Sequence, residues 1–456
     1  MDFPFFEFDF YGNRLLIAVV AILHVMINHP LAIGGALLVA RMEAKGIKTG
    51  DTRWDDLARR ILFFCFIITT TVGALTGVGI WLATALVNPD AIGSLLRVFF
   101  WAWFIEWLVF ITEVGLILGY MLTWKTWVGE RKAKHLRLGY GLAAFSFITM
   151  ALIVAILGFM MTPGSWQQSR SLLDGILNPL YLPQLAFRTC LAMVMGGALG
   201  LALVRWFTEK GEFRDQAVRY CCSFMIHWAI PLWFAGAWYL GTVPREMIDR
   251  APTALGTMRG EEYYTLILTV MGVLTGLGAW ISFAGYLWPR TLPRWAYYAP
   301  FVALLVLLAA FARTREFVRK PYIIGGYMYA NGIRVEDYPL YQAEGLLKHH
   351  AYATVRDITD ANRVAAGHEV YRIACAGCHT AHPGGVNSVH LKFRTLMGEG
   401  AWNPAAVDQV LAGMHTSRAY MPPFPGTAPE RRALADWIVH QHDLVRLPST
   451  PVAKAP

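Results

Sequence analysis

The chain has 456 residues, of which 56% are hydrophobic and only 16% charged. Soluble domains carry about 25% charged residues, so this balance excludes an ordinary soluble protein and points to membrane-spanning helices. The formal net charge of +9 does not indicate a nucleic-acid partner, because the basic residues crowd into loops between apolar stretches, where they follow membrane topology.

Eight apolar stretches suit a helix crossing a ~30 Å hydrocarbon core: residues 15–40, 60–87, 98–123, 139–161, 182–204, 220–242, 264–287 and 295–312. Their loops alternate in charge. Arg41, Lys45, Lys48, Arg53, Arg59 and Arg60 follow the first; Lys125, Arg131, Lys132, Lys134 and Arg137 the third; Arg205, Lys210, Arg214 and Arg219 the fifth; Arg290 and Arg294 the seventh. The intervening loops hold only Arg97, Arg170, Arg245, Arg250 and Arg259. The basic side is expected to be cytoplasmic, which puts both ends of an even-numbered bundle outside. Trp124, Trp127, Trp206, Trp288, Trp295, Tyr297 and Tyr298 lie near stretch ends, as interfacial anchors do. The N-terminus is acidic at Asp2, Glu7 and Asp9, the reverse of a basic leader, so no cleaved signal peptide is expected. Four of the cysteines, Cys65, Cys190, Cys221 and Cys222, fall in apolar stretches and are expected to pack as small hydrophobes.

The expected architecture is all-α. A polytopic membrane helical bundle of about eight spans occupies residues 1–313. A periplasmic connector with little regular structure follows over 314–360, then a compact helical domain over 361–445 and a flexible tail over 446–456 that includes Pro448 to Pro456. In the compact domain Asp360 is the expected N-cap of a helix containing Val364, His368 and Tyr371. Pro429 begins a second helix with Leu434, Trp437 and Ile438 on one face.

Between these helices stands Cys375-Ala376-Gly377-Cys378-His379. Two thiols at this spacing reach the two vinyl groups of one haem, and the following His ligates iron from one face. A thioredoxin-like pair wants a β-α-β setting, and a zinc site wants a second pair of ligands; neither is present. One covalent c haem is therefore expected. Such haems are attached outside the cytoplasm, in agreement with the loop charges. Met421, in Tyr420-Met421-Pro422-Pro423-Phe424, is the expected second ligand, because the prolines hold its loop extended. His382, His390 and His415 are competitors, each expected at the surface. The motif, the spacing to Met421 and the terminal helix resemble the class I cytochrome c family, which implies His379 and Met421 as axial ligands.

Ionisable side chains at bilayer depth are functional candidates by default. Here they are His24 and His29 in the first stretch, Glu106 and Glu113 in the third, Arg188 in the fifth and His227 in the sixth. A buried neutral imidazole is a natural haem-iron ligand; the plainer reading of His24, His29 and His227 is a ring bonded to a neighbouring helix. Glu106 and Glu113 are two turns apart on nearly one helix face. They are candidate catalytic carboxyls, placed to relay protons or to sit beside a haem, or else protonated groups bonded to neighbours.

The run from His24 to Gly34, His-Val-Met-Ile-Asn-His-Pro-Leu-Ala-Ile-Gly, ending at Arg41-Met42-Glu43, resembles the first helix of cytochrome bd oxidase subunit I. Phe104-Ile105-Glu106-Trp107 and Glu113 resemble its third helix; Asn178-Pro179 and Arg319-Lys320-Pro321-Tyr322 resemble further landmarks. The resemblance implies non-covalent haem b, haem d or both, with His24 on the haem of the oxygen-reducing site, Glu106 near it, and a second membrane subunit similar to bd oxidase subunit II. Glu113 is one residue off the family spacing. Arg188 stands where the family has a His on the quinol-side haem b. The ninth helix with its further ligands is gone, and the quinol loop shrinks to about residues 243–262. His29 and His227 remain as further candidate ligands.

Three functions stay open. The chain is an oxidase-like subunit of the inner membrane, fed through its own c haem by a periplasmic c-type cytochrome or other redox protein. Alternatively it carries electrons from quinol to the c haem, or it is an anchor for a tethered c-type shuttle. The first is favoured. A haem–copper oxidase needs more intramembrane His than the three present.

Overall fold

The structure is a computed structural model that describes residues 6–256 and 261–446. Asp2, Arg259 and the tail from Pro448 to Pro456 lie outside the described residues. The chain divides into two compact units.

One unit, Ala21–Gly79 with Val98–Val318, is made of long helices. Among the described residues seven helices are long and apolar enough to cross a membrane: α1 Asn13–Thr49, α2 Thr52–Val87, α3 Pro89–Thr123, α4 Gly129–Met161, α5 Tyr181–Phe207, α6 Glu212–Thr242 and α7 Glu262–Leu287. The eighth expected span forms helix α8, Ala299–Val318. Its last turns carry Arg313, Arg315 and Glu316, so its apolar stretch falls short of the ~20 residues that a crossing needs. Several helices run past their apolar windows into the basic loops. There the Asp51 side chain caps α2 by accepting from the Arg53 N–H at 3.0 Å.

Helix α5 is almost wholly buried and forms the axis of this unit. Its centre presses directly on α1. A Cβ at Gly34 would stand 2.0 Å from the Ala192 carbonyl oxygen, and one at Gly196 would stand 2.4 Å from the Gly34 carbonyl carbon. Small residues let two backbones touch in this way. The crossing falls in the wide turn Asn28–Gly34 of α1, which has π-helical bonding around Pro30. Proline donates no N–H, so a regular ladder cannot continue through it. Cys65, Cys190, Cys221 and Cys222 are free and buried, as expected.

Beyond this contact the helices are tied by a buried polar network. Tyr120 Oη donates to Glu43 Oε2 at 2.6 Å and His135 Nδ1 donates to Glu43 Oε1 at 2.5 Å. His135 Nε2 meets the Tyr120 carbonyl at 2.9 Å. Lys132 Nζ bridges Glu43 and Asp55 at 2.8 and 2.6 Å. The network thus ties together side chains from α1, α2, α3 and α4.

The other unit joins Met1–Val20, Ile80–Arg97 and Arg319–Pro456. It opens after α8 with a hairpin, β1 Tyr322–Ile324 and β2 Met328–Tyr329, in which Tyr322 pairs with Tyr329. Short helices α9 Tyr338–Glu344 and α10 Leu346–His349 follow. Its longer helices are α11 Arg363–Ala374, α12 Val389–Met397, α13 Pro404–Ala412 and α14 Ala428–Arg446. Helix α11 starts after the expected cap Asp360, which instead pairs with Arg363 at 2.6 Å. Leu434, Trp437 and Ile438 of α14 are buried together, as the spacing predicts.

Residues 319–360 are structured, and Leu346 and Leu347 lie in the same core as Val370, Tyr371, Leu434 and Trp437. Glu430 pins them there. It is 4% exposed; its carboxylate accepts from the Leu346, Leu347 and Thr427 N–H groups at 3.0, 2.8 and 2.7 Å. Thr427-x-x-Glu430 is a capping box for α14 whose acid also caps α10. Removing it strands buried N–H donors, each worth about 1–3 kcal/mol. Glu430→Ala is therefore expected to destabilise this unit by about 3 kcal/mol, readable as a drop in the midpoint of Soret-monitored unfolding; an unchanged midpoint would sink the assignment.

Candidate functional site

The C-x-x-C-H motif occupies the turn that ends α11. The Cys378 and His379 N–H groups both donate to the Cys375 carbonyl at 3.0 Å, which brings the two free thiols and the imidazole onto one short loop. His379 Nδ1 donates to the Asn387 carbonyl at 2.9 Å, leaving Nε2 for iron. Desolvation holds the His379 pKa down to about 4, with Lys392, Arg14 and Arg418 adding to it, so the ring is neutral at physiological pH. Tyr371 Oη donates to the His379 carbonyl at 2.8 Å and Asn387 Nδ2 to the Cys378 carbonyl at 2.8 Å. Asn387 holds a left-handed backbone, φ 56°, a conformation Asn tolerates. Thiols, tautomer and loop all fit a covalent haem. Met421 lies half-buried in its proline loop, and His415 Nδ1 donates to its carbonyl at 2.5 Å. His415 is thus a partner of the Met421 loop, which its sequence position does not signal.

His382 is exposed as expected, but His390 is not. It is 4% exposed, and His442 is 3% exposed beside it. His442 Nε2 donates to the Gly400 carbonyl at 2.8 Å, so its Nδ1 accepts from His390 Nε2 at 3.1 Å. Trp402 stacks on the His442 ring at 3.7 Å. The surface expectation failed because α12 turns His390 inward onto α14, a contact between segments far apart in sequence. Desolvation, then His442 and Arg394, lower the His390 pKa from 6.5 while Glu399 opposes them. The folded state favours the neutral ring, so this stability is present above pH 6.5 and is lost as pH falls below it. The unfolding midpoint of this unit should drop between pH 7.5 and 5, and His390→Phe should flatten that part of the profile.

In the membrane helices His24 is held on both ring nitrogens. Nδ1 donates to the Gly73 carbonyl at 3.2 Å, with Thr76 Oγ1 at 3.1 Å. Nε2 accepts from Asn28 Nδ2 at 2.6 Å. Gly73 closes a second π-helical turn, Thr69–Gly73 in α2. Gly77 leaves room for the ring, since a Cβ there would stand 3.1 Å from His24 Cε1. The backbone-bonded Nδ1 selects the tautomer whose Nε2 carries the lone pair a metal would take, and Asn28 donates to that atom. These groups fit an iron ligand. Asn28, one turn along from His24, was readable from that spacing and was not singled out.

His29 is buried, and Arg188 Nη1 donates to its Nε2 at 3.3 Å. Arg188 is 3% exposed and lies over the Phe311 ring at 5.5 Å. Phe187 stacks on Tyr239 at 5.8 Å and meets Phe311 at 5.2 Å. Where the resemblance placed a haem-ligating His, the structure has a guanidinium among aromatic rings. Glu113 accepts from Ser146 and Thr149 hydroxyls at 2.5 and 3.1 Å. Glu106 is half-buried two turns away on α3. His227 is exposed along α6, its Nδ1 donating to the Ser223 carbonyl at 2.6 Å. The structure therefore joins His24 with Asn28 and Gly73, and His29 with Arg188, while among the described residues His227 bonds Ser223 of its own helix.

Comparison with known proteins agrees with this division. Residues 13–261 match the family described as cytochrome bd terminal oxidase subunit I. Residues 362–438 match the family described as cytochrome c oxidase, cbb3-type, subunit III. The bd oxidase structure from Geobacillus thermodenitrificans is similar in fold, with TM-score 0.56 and 19% identity over 71% of this chain and 90% of that one. No curated protein sequence matches the chain. The family match spans more than half of the residues, and the remainder carries the haem-attachment motif: the chain belongs to the cytochrome bd terminal oxidase subunit I family and bears a cytochrome c domain at its C-terminal end.

Proposed function

We propose that this respiratory haem protein takes electrons in at the C-terminal c haem and delivers them to a membrane haem held by His24, with oxygen as acceptor. The observation that carries the reading is the pair of fates met by the two family histidine positions. His24 keeps its backbone-fixed tautomer, whereas the position expected to hold the quinol-side haem is Arg188, bonded to His29. A port for quinol electrons is thereby lost while a ligand for the oxygen-side haem is retained, and the cytochrome c domain supplies the replacement port. Bound haems supply one-electron carriers. Cys375 and Cys378 would anchor the c haem, His379 and Met421 would hold its iron, and His24 would hold the membrane haem through Nε2. Glu113 accepts from Ser146 and Thr149, and with Glu106 it forms a proton-handling face on α3. The basic loops face the cytoplasm in this reading, the c domain faces the periplasm, and a second membrane subunit similar to bd oxidase subunit II completes the complex.

The test is a pyridine haemochrome assay of the purified complex, followed by oxygen uptake on adding reduced cytochrome c. Haem c together with haem b or d, and uptake, is the expected result. Haem c alone would overturn the reading. Reduction of the c haem by a quinol ahead of any membrane haem would reverse its direction.

A further inference from the structure

The described N-terminal segment, ahead of the membrane core, is bonded to the loop that carries the axial histidine. Asn13, 1% exposed, folds this segment into a compact hook. Its side chain accepts from the Phe8 N–H at 3.0 Å and donates to the Phe6 carbonyl at 2.8 Å. The Gly12 N–H donates to the Phe8 carbonyl at 3.0 Å, with Gly12 at φ 77°, a backbone that glycine adopts without strain. The hook then meets the haem loop at three places. The Val386 N–H donates to the Phe10 carbonyl at 2.8 Å. The Phe10 ring stands edge-on to His382 at 5.3 Å. A Cβ on Gly12 would stand 3.0 Å from Thr380 Cγ2, and one on Gly385 would stand 3.0 Å from the Phe10 carbonyl oxygen.

These contacts converge on residues 379–387, and their far end is Asn387, whose carbonyl receives the Nδ1–H of His379. The strength and direction of that bond set the basicity and orientation of an iron-bound imidazole. Phe10 grips the residue next to Asn387. We propose that the hook from Phe6 to Asn13 is a positioning element for the c haem: by holding Val386 it fixes the Asn387 carbonyl against His379 and thereby sets the haem's electron affinity. The proposal rests on His379 being an axial ligand.

Gly12→Val tests it in the full-length complex, because the added side chain is strained at this φ and presses on Thr380. Two readouts are taken: amide exchange at Val386 by mass spectrometry, and the equilibrium of the c haem with a redox dye of known potential. The pyridine haemochrome separately counts covalent haem, so failure of the haem assignment is seen apart from failure of the hook. The expected result is faster Val386 exchange, unchanged covalent haem, and a threefold to tenfold shift in the electron-sharing equilibrium. The upper end corresponds to ~59 mV for one electron. Should Gly12→Val fail to accumulate, Val386→Pro deletes the N–H that Phe10 receives, and the haem equilibrium is read in the same way. Faster exchange with an unmoved equilibrium overturns the proposal, as does a Gly12→Val complex whose Val386 exchange is unchanged. An unmoved equilibrium in Val386→Pro does so equally.

Discussion

Gly196→Leu is expected to leave almost no folded protein in the membrane. At this position α5 lies against the wide turn of α1, and a Cβ would stand 2.4 Å from a backbone carbon of Gly34. A flexible side chain yields to such a contact, but a helix backbone does not. Overpacking a yielding core costs about 1–3 kcal/mol; prying apart two backbones in the middle of the buried helix should exceed that, and marginal stability leaves little reserve. The measurement is the monodisperse fraction in detergent and its thermal midpoint, compared with Gly272→Leu on α7, where nothing lies within 4 Å of a Cβ. The control should match the parent. Equal behaviour of the two variants would mean that α1 and α5 do not cross at these glycines.

The second large effect is chemical. His24→Ala should remove the membrane haem proposed to bind there and leave the covalent c haem in place. Losing only an outer-shell partner weakens metal sites about 10–100-fold, so losing the ligand itself should exceed that range. The substitution also frees Asn28, Gly73 and Thr76 from the ring they now hold. The assay is the ratio of non-covalent to covalent haem, and the c haem serves as an internal standard. An unchanged ratio would make His24 a packing residue.

The membrane helices were legible because their signal is local: long apolar runs, alternating loop charge and aromatic ends. The haem-attachment motif was legible for the same reason, its two thiols and its His lying within five consecutive residues. What escaped depends on contacts between distant segments. His390 was expected at the surface, yet it is buried against His442 and Trp402. The capping box at Thr427 and Glu430 was written in the sequence, but its second task, capping α10, needs a partner 84 residues away. The eighth span was drawn from hydropathy, and the charged last turns of α8 set its limit. Arg188 is legible as a departure from the family pattern; its bond to His29 is not, since a spacing rule on one helix carries no information about the next.

The shared core described above decides how the protein could be cut. A fragment starting at residue 361 would leave Leu346 and Leu347 behind, uncover the faces of Val370 and Trp437 that pack with them, and strip the Glu430 carboxylate of two of its donors. A fragment starting at Arg319 keeps all of these. The haem domain thus keeps this part of its core only when the preceding segment travels with it. A protease nick in that segment would count as damage to the haem domain's core.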